Sequence, residues 1–327
     1  MVTDLLASQS NRKSPAAHGP DFSIEVENNG YAWWYVDALS RDGEHGLTII
    51  AFIGSVFSPY YAAARRKGSV NPLNHCAINV ALYGRGGKRW AMTERGLNAV
   101  SRDQINFQVG PSALHWDGTS LTIDINEIGV PIPRSLRGKV RVTPRAMISQ
   151  TFVLAESGLH QWQPIAPKCD VEATFQSPTL QWSGTGYFDR NCGSSPLEKA
   201  FLYWTWSRSG GANDTMIFYD VDRRHEGQYG LALHIDCHGG VTHMTAPPKA
   251  KLASSLWGIP RETRSDETTP AKVVKTLEDT PFYARSVVSS SISGVATQSV
   301  HEALSLDRFR TPIVQGMLPF RMPRKSW

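Results

Sequence analysis

Residues 31–53 read YAWWYVDALSRDGEHGLTIIAFI, and this stretch decides the fold class. Its first part concentrates aromatic and β-branched side chains, which suit a pleated, well-buried surface. Arg41-Asp42-Gly43 then supplies turn chemistry, and the apolar run 47–53 is strand length. The stretch is therefore read as a β-hairpin. Working outward, residues 114–116 turn through Asp117-Gly118 into 120–125 and give a second hairpin. Short runs of Trp, Tyr, Ile, Val and Thr, separated by Gly, Asp, Asn and Pro at roughly 8 to 12 residues, continue along the chain. An all-β protein with few short helices is expected, one of the helices lying at 60–67 (YYAAARRK).

The opening motif has an echo. Tyr203-Trp204-Thr205-Trp206 precedes a polar turn and the apolar Met216-Ile217-Phe218-Tyr219, as Tyr31 to Tyr35 precedes its own turn and apolar run. Two similar β units account for this, and so does coincidence between aromatic strands; a second unit would begin near residues 196–199. Residues 247–280, rich in Pro, Lys, Ser and Thr, are read as a long excursion, a lid or a partly mobile loop.

Composition narrows the function classes. The 327 residues are 41% hydrophobic and 19% charged, and the longest apolar run, 47–56, is broken by Gly54, so no membrane-spanning helix is expected. Near the start only Leu5, Leu6 and Ala7 form an apolar patch, too short for a secretory signal, which points to the cytoplasm. Cys76, Cys169, Cys192 and Cys237 form no C-x-x-C pair and suit reduced thiols. The net charge of +5 is partly local, in Arg134, Arg137, Lys139, Arg141 and Arg145 and again in Arg308, Arg310, Arg321, Arg324 and Lys325. No nucleic-acid motif accompanies it. The second cluster is interleaved with Phe309, Ile313, Met317, Leu318, Phe320, Met322 and Trp327, a mix that fits either a membrane interface or a solvated basic face over a packed tail.

Nucleophile elbows, zinc-protease helices, phosphate loops and dinucleotide fingerprints are all missing from the sequence. His234, Asp236 and His238 share one strand face and offer a conceivable metal site, although a polar strand edge explains them as well. Two other period-2 pairs stand out: His160 with Trp162, and Tyr187 with Asp189. On neighbouring strands they would bring an acid, a base and two aromatic rings to one cavity. The same pattern also fits a turn-capping His160, core rings and an Asp189 paired with Arg190.

The passages 31–61, NPLNHCAINVALYG (71–84), RWAMTERG (89–96) and WSGTGYFDRN (182–191) resemble the carotenoid 1,2-hydratases, or hydroxyneurosporene synthases, of purple phototrophic bacteria. The resemblance spans nearly the whole chain after Pro20. It implies two lipocalin-like antiparallel β-barrel units in tandem, here taken as 22–196 and 197–327 after a disordered segment 1–21. It also implies an acyclic carotenoid substrate such as neurosporene or lycopene, hydration of the terminal C1=C2 bond to a tertiary 1-hydroxy product, and neither cofactor nor metal. The family's His-x-Trp and Tyr-x-Asp pairs fall on His160, Trp162, Tyr187 and Asp189, while Cys192 stands where a bulkier residue is common and puts the packing near Asp189 in question.

Those four residues suggest a mechanism. Protonating an unactivated alkene needs a strong acid, and a carboxyl group in an apolar cavity stays protonated near neutral pH, which suits Asp189. Trp162 and Tyr187 would shelter the cation at C1 with their π faces, and His160 would orient and deprotonate the attacking water. An inverted division, with His160 as the ultimate proton source and Asp189 as its partner, fits the same residues. The rival functions are a non-catalytic carrier of a polyene, a related lyase acting on another terpenoid alkene, and an interaction protein whose aromatic strands bury into a partner. Because the substrate resides in lipid, peripheral contact with an anionic membrane surface through the basic, aromatic tail is expected.

Overall fold

In the computed structural model, which describes residues 19–156, 158–211, 214–267 and 269–325, the opening hairpin pairs strands Tyr31–Ser40 and His45–Ile53, with Gly43 in the turn at φ 73°. Tyr31–Ser40 lies centrally in an antiparallel sheet of 12 strands. On one side it is followed by His45–Ile53, Ala77–Gly84 and Arg89–Met92, and on the other by Thr179–Gly193, His160–Ser177 and Ser135–Pro144. The sheet curls until its edges approach. Val130 N–H donates to Trp90 O at 3.0 Å, and Arg95 pairs with Glu127 at 2.7 Å.

A second antiparallel sheet has seven strands, with Phe201–Gly210 between Asp214–Arg223 and Val295–Ser305, and Tyr283–Ile292 and Lys272–Asp279 beyond. The mostly-β expectation therefore holds. The helix at 60–67 is found as Pro59–Arg65, capped by Ser58, which accepts from the Tyr60 and Tyr61 N–H groups. The excursion expected at 247–280 is instead largely structured: Lys249–Leu252 and Arg261–Arg264 form a hairpin, and Lys272–Asp279 is a strand of the second sheet. The polar composition concealed an alternation in which Leu252 is buried and Lys249 and Lys251 are exposed.

Alternation along Tyr31–Ser40 divides the molecule into two cores. Ala32, Trp34, Val36 and Ala38 point into the interior of the first sheet, where Trp34 meets Phe22 at 5.0 Å and donates to Pro20 O at 2.9 Å. Tyr31, Trp33 and Tyr35 point the other way, into a second cluster shared with Trp204, Trp206, Tyr219 and Leu304 of the second sheet. A strand buried on both faces reads as continuously apolar. The Thr179–Gly193 strand lies tight against it because Gly184 and Gly186 lack side chains: a Cβ at Gly184 would sit 1.9 Å from Leu39 O, and one at Gly186 would sit 2.6 Å from Asp37 O. Residues 1–18 and Trp327 lie outside the described residues.

Candidate active site

The site grows from three adjacent strands. Register places Tyr35 opposite Asp189, Asp37 opposite Tyr187, and Trp162 opposite Asn191. Since side chains alternate, Tyr35, Tyr187, Asp189 and Trp162 all project from the same face into the layer between the sheets. There Trp162 Nε1 and Tyr187 OH each donate to Asp189 Oδ2 at 2.9 Å. The other carboxyl oxygen, Oδ1, is buried and has no hydrogen-bond partner among the described residues. Burial pushes the Asp189 carboxyl well above the usual carboxylate range, the two donors pull it partly back, and the charges of Glu302 and Asp37 push it further up. A carboxyl group shifted in this direction is suited to donating a proton.

His160 sits one step further along the same face. Its Nδ1 lies 2.9 Å from Tyr31 OH, its ring packs 4.9 Å from Phe201, and its Nε2 has no partner among the described residues. Burial lowers its pKa to about 4, so the imidazole is neutral at ordinary pH. The structure thus joins Asp189, Trp162 and Tyr187 by direct hydrogen bonds and links His160 to Tyr31, which stacks on Trp33 at 5.0 Å. Gly193 makes the Tyr31 contact feasible, since a Cβ there would come within 2.8 Å of the Tyr31 ring and 2.9 Å of His160 Nδ1. Cys192 packs on the opposite face, against the interior of the first sheet, so its small size does not touch the surroundings of Asp189.

Beside this cluster lies a cavity of about 390 Å³, within the usual range for small-molecule sites. Its walls include Trp33, Tyr35 and Phe52 from the first sheet, Trp204 and Leu304 from the second, and Met322 from the C-terminal segment. Tyr35 connects cavity and cluster: it lines the former, and its ring centre is 6.2 Å from that of Tyr187. The cavity also contains carboxylates that sequence reasoning missed, Glu302, Glu278 and Asp279. A lone Glu inside the apolar run Val300-His301-Glu302-Ala303-Leu304 was the available signal, but nothing local tied it to Asp189.

Behind the cavity, Asp37 is paired with Arg208, whose Nε is 2.9 Å away, and with Arg285 at 3.0 Å; Arg285 also pairs with Glu302. These charges join the sheets. Burial alone would raise the Asp37 pKa, but Arg208 and Arg285 outweigh it and hold the carboxyl below its ordinary value. The histidines considered as metal ligands are otherwise engaged or exposed: His234 Nε2 is 3.0 Å from Asp214 Oδ2, and no group of three or more His, Cys, Asp and Glu side chains suited to a metal occurs among the described residues.

Comparison with known proteins bears on this geometry. The family described as "Carotenoid hydratase CrtC" matches residues 49–327. An acyclic carotenoid 1,2-hydratase of Thiocapsa roseopersicina is 53% identical over 95% of this chain and 77% of that protein. Another, from Cereibacter sphaeroides, is 40% identical over 85% of this chain and 98% of its own. Among solved structures, kievitone hydratase from Nectria haematococca shares the fold with a TM-score of 0.56 at 10% identity, covering 89% of this chain and 93% of that one.

Proposed function

The chain belongs to the carotenoid hydratase family, and from that premise we propose that it adds water across the terminal C1=C2 bond of an acyclic carotenoid, such as neurosporene or lycopene, without a cofactor. The observation that carries the proposal is Asp189, a buried carboxyl group held by Trp162 and Tyr187, with one oxygen free, beside an aromatic cavity. Asp189 gives its proton to C2, leaving a tertiary cation at C1. Tyr187 and Trp162 fix the carboxyl group, and the ring faces that line the cavity, Trp33, Tyr35 and Trp204, stabilise the cation by roughly 0.5 to 2 kcal/mol each. Water then closes the tertiary alcohol.

For His160 we propose a role other than the water-orienting base expected from sequence. Like Asp189, Trp162 and Tyr187 it lies behind the side chains that line the cavity; enclosed by Tyr31 and Phe201, it acts here as a positioning residue that holds Tyr31, and through it Trp33. We also read the two sheets as tandem lipocalin-like units dividing near residue 196, because every strand of each sheet comes from one side of that point. Peripheral docking on an anionic membrane, with the cavity mouth toward the lipid, completes the proposal.

The test is incubation of the protein with lycopene or neurosporene in liposomes, without added cofactor, in water enriched in heavy oxygen. Wild type is expected to yield a labelled tertiary alcohol, and Asp189→Asn none. Folded wild type that binds the polyene and leaves it unchanged would make the protein a carrier.

A further inference from the structure

We propose that Glu302 is the base of the reaction, a carboxylate that holds the attacking water in the cavity and takes its proton. The inference rests on the hydration reading above and adds the group that reading lacks. Glu302 projects from the second sheet into the cavity, where its Oε1 accepts from the hydroxyl of Tyr35, the residue paired with Asp189 in the first sheet. Only its Oε1 is engaged, by Arg285 and by Tyr35 OH at 2.7 Å; Oε2 makes no hydrogen bond among the described residues. A carboxylate oxygen without a protein donor among the described residues, in a cavity walled largely by aromatic and apolar side chains, is a place for a water molecule.

The Tyr35 hydroxyl makes the site suitable for a base. Its oxygen is 2.7 Å from Glu302 Oε1 and 3.0 Å from Asp37 Oδ2, yet a phenol has one proton and can donate to only one carboxylate at a time. While Glu302 is ionised, that proton points to Glu302. Once Glu302 has taken a proton from water at its free Oε2, Oε1 remains an acceptor for Tyr35 OH, whose proton can also turn to Asp37. Oε1 is thus hydrogen-bonded in both protonation states, and only the phenol hydroxyl has to turn. Arg208 and Arg285 keep Asp37 ionised and ready to accept in the second state.

The step balances. The alkene π pair takes the Asp189 proton at C2, and a water lone pair forms the C–O bond at C1. The oxonium proton passes to Glu302, so that one carboxyl group has lost a proton and the other has gained one. Exchange with solvent through the cavity mouth restores both. The negative charge on Glu302 is also among the influences that keep Asp189 protonated, which sets the acid and base states apart before substrate arrives.

Deuterium separates the two half-reactions. In heavy water with lycopene in liposomes, a Glu302→Gln protein keeps its acid but lacks its base. It should exchange deuterium into the C2 position of recovered lycopene while forming alcohol about a hundredfold or more slowly than wild type. Asp189→Asn should do neither. Alcohol formation by Glu302→Gln at the wild-type rate would overturn the proposal, and so would a folded, polyene-binding Glu302→Gln protein that neither exchanges nor hydrates. Should that variant not fold, Tyr35→Phe, which removes the hydroxyl rotor and leaves the ring, carries the same test: exchange with slowed hydration supports the proposal, and unchanged hydration overturns it. Failure of wild type itself to hydrate or exchange would instead strike the hydration reading.

Discussion

Asp189 binds its proton more tightly in the folded chain than in the unfolded one, because burial outweighs the donations of Trp162 and Tyr187. The linkage sign follows: as pH rises above the unfolded value near 4, the unfolded state ionises first, and wild type loses stability until the folded pKa is passed. Asn at this position keeps an oxygen for both donors and has no proton to lose. Unfolding free energies measured from pH 4 to 8 should therefore show Asp189→Asn gaining on wild type as pH rises, and parallel curves would mean an ionised Asp189. His160 behaves oppositely, since its folded pKa of about 4 lies below the ordinary value near 6.5. Its contribution is complete above pH 6.5 and is lost as pH falls toward 4, on the order of 3 kcal/mol at most. Equilibrium unfolding of His160→Gln should remove this part of the acid sensitivity and leave the part due to His301, which burial also lowers to about 4. The sequence exposed these residues because each pair sits within three positions on one strand. It concealed Tyr35, Glu302 and Arg285, which meet only when strands distant in the chain are laid face to face.

At the scale of elements, the hairpins were legible because their turns carry Gly and Asp at the required places, and the Thr179–Gly193 strand was anchored by its motif. The segment after Pro247 was misread because its strands are polar, whereas for the C-terminal segment the structure agrees with a packed tail, one of the two readings the sequence left open. Phe309, Leu318 and Met322 are in fact buried, and Arg308 donates to Trp257 O at 2.6 Å and to Gly258 O at 3.0 Å. The segment runs through the helix Pro312–Met317 to a two-residue strand, Arg324–Lys325, that pairs in parallel with Glu94–Arg95. Its end is fixed where Arg324 pairs with Glu94, whose carboxylate also meets His75 Nδ1 at 2.8 Å. Val314, Leu318 and Met322 meanwhile close one wall of the cavity. Removing the guanidinium with Arg324→Ala should loosen this wall locally, by about 1 to 3 kcal/mol, because a buried carboxylate loses a charged partner. Hydrogen exchange should accelerate in residues 313–325 and stay unchanged in the Thr179–Gly193 strand. Equal acceleration in both would show that the segment supports the whole fold and not the cavity wall alone.

At the scale of the whole molecule, the cavity opens where apolar side chains have no partner. Leu256 is 99% exposed and Phe320 78%, with Trp257 and Ile132 also exposed, and Lys88, Arg89, Arg134 and Arg321 line the adjoining cleft. Among the described residues no helix is long and apolar enough to cross a membrane. An apolar rim beside basic side chains at a cavity mouth suits a surface that lies on anionic lipid, with the rings in the interface and the charges at the headgroups. On the function proposed above the arrangement also addresses a difficulty of the substrate: a cavity of this size takes an end group, and the remainder of a long polyene would stay in lipid. Sequence pointed to the tail for this contact; on the docking reading proposed above the rim would be shared, with Leu256 and Trp257 from the turn after the Lys249–Leu252 strand and Met317, Phe320 and Arg321 from the tail. Sedimentation with liposomes should therefore show binding to anionic vesicles that weakens with salt, as surface charge is screened. Replacing Leu256 and Phe320 together by Ser should lower vesicle affinity about tenfold or more, given roughly 1.5 to 3 kcal/mol for full burial of such a side chain. Turnover of lycopene presented in vesicles should fall in parallel, while turnover of a short, water-dispersed alkene bearing the same end group should not. Equal losses on both substrates would place these side chains in the chemistry of the cavity and not in its approach to lipid.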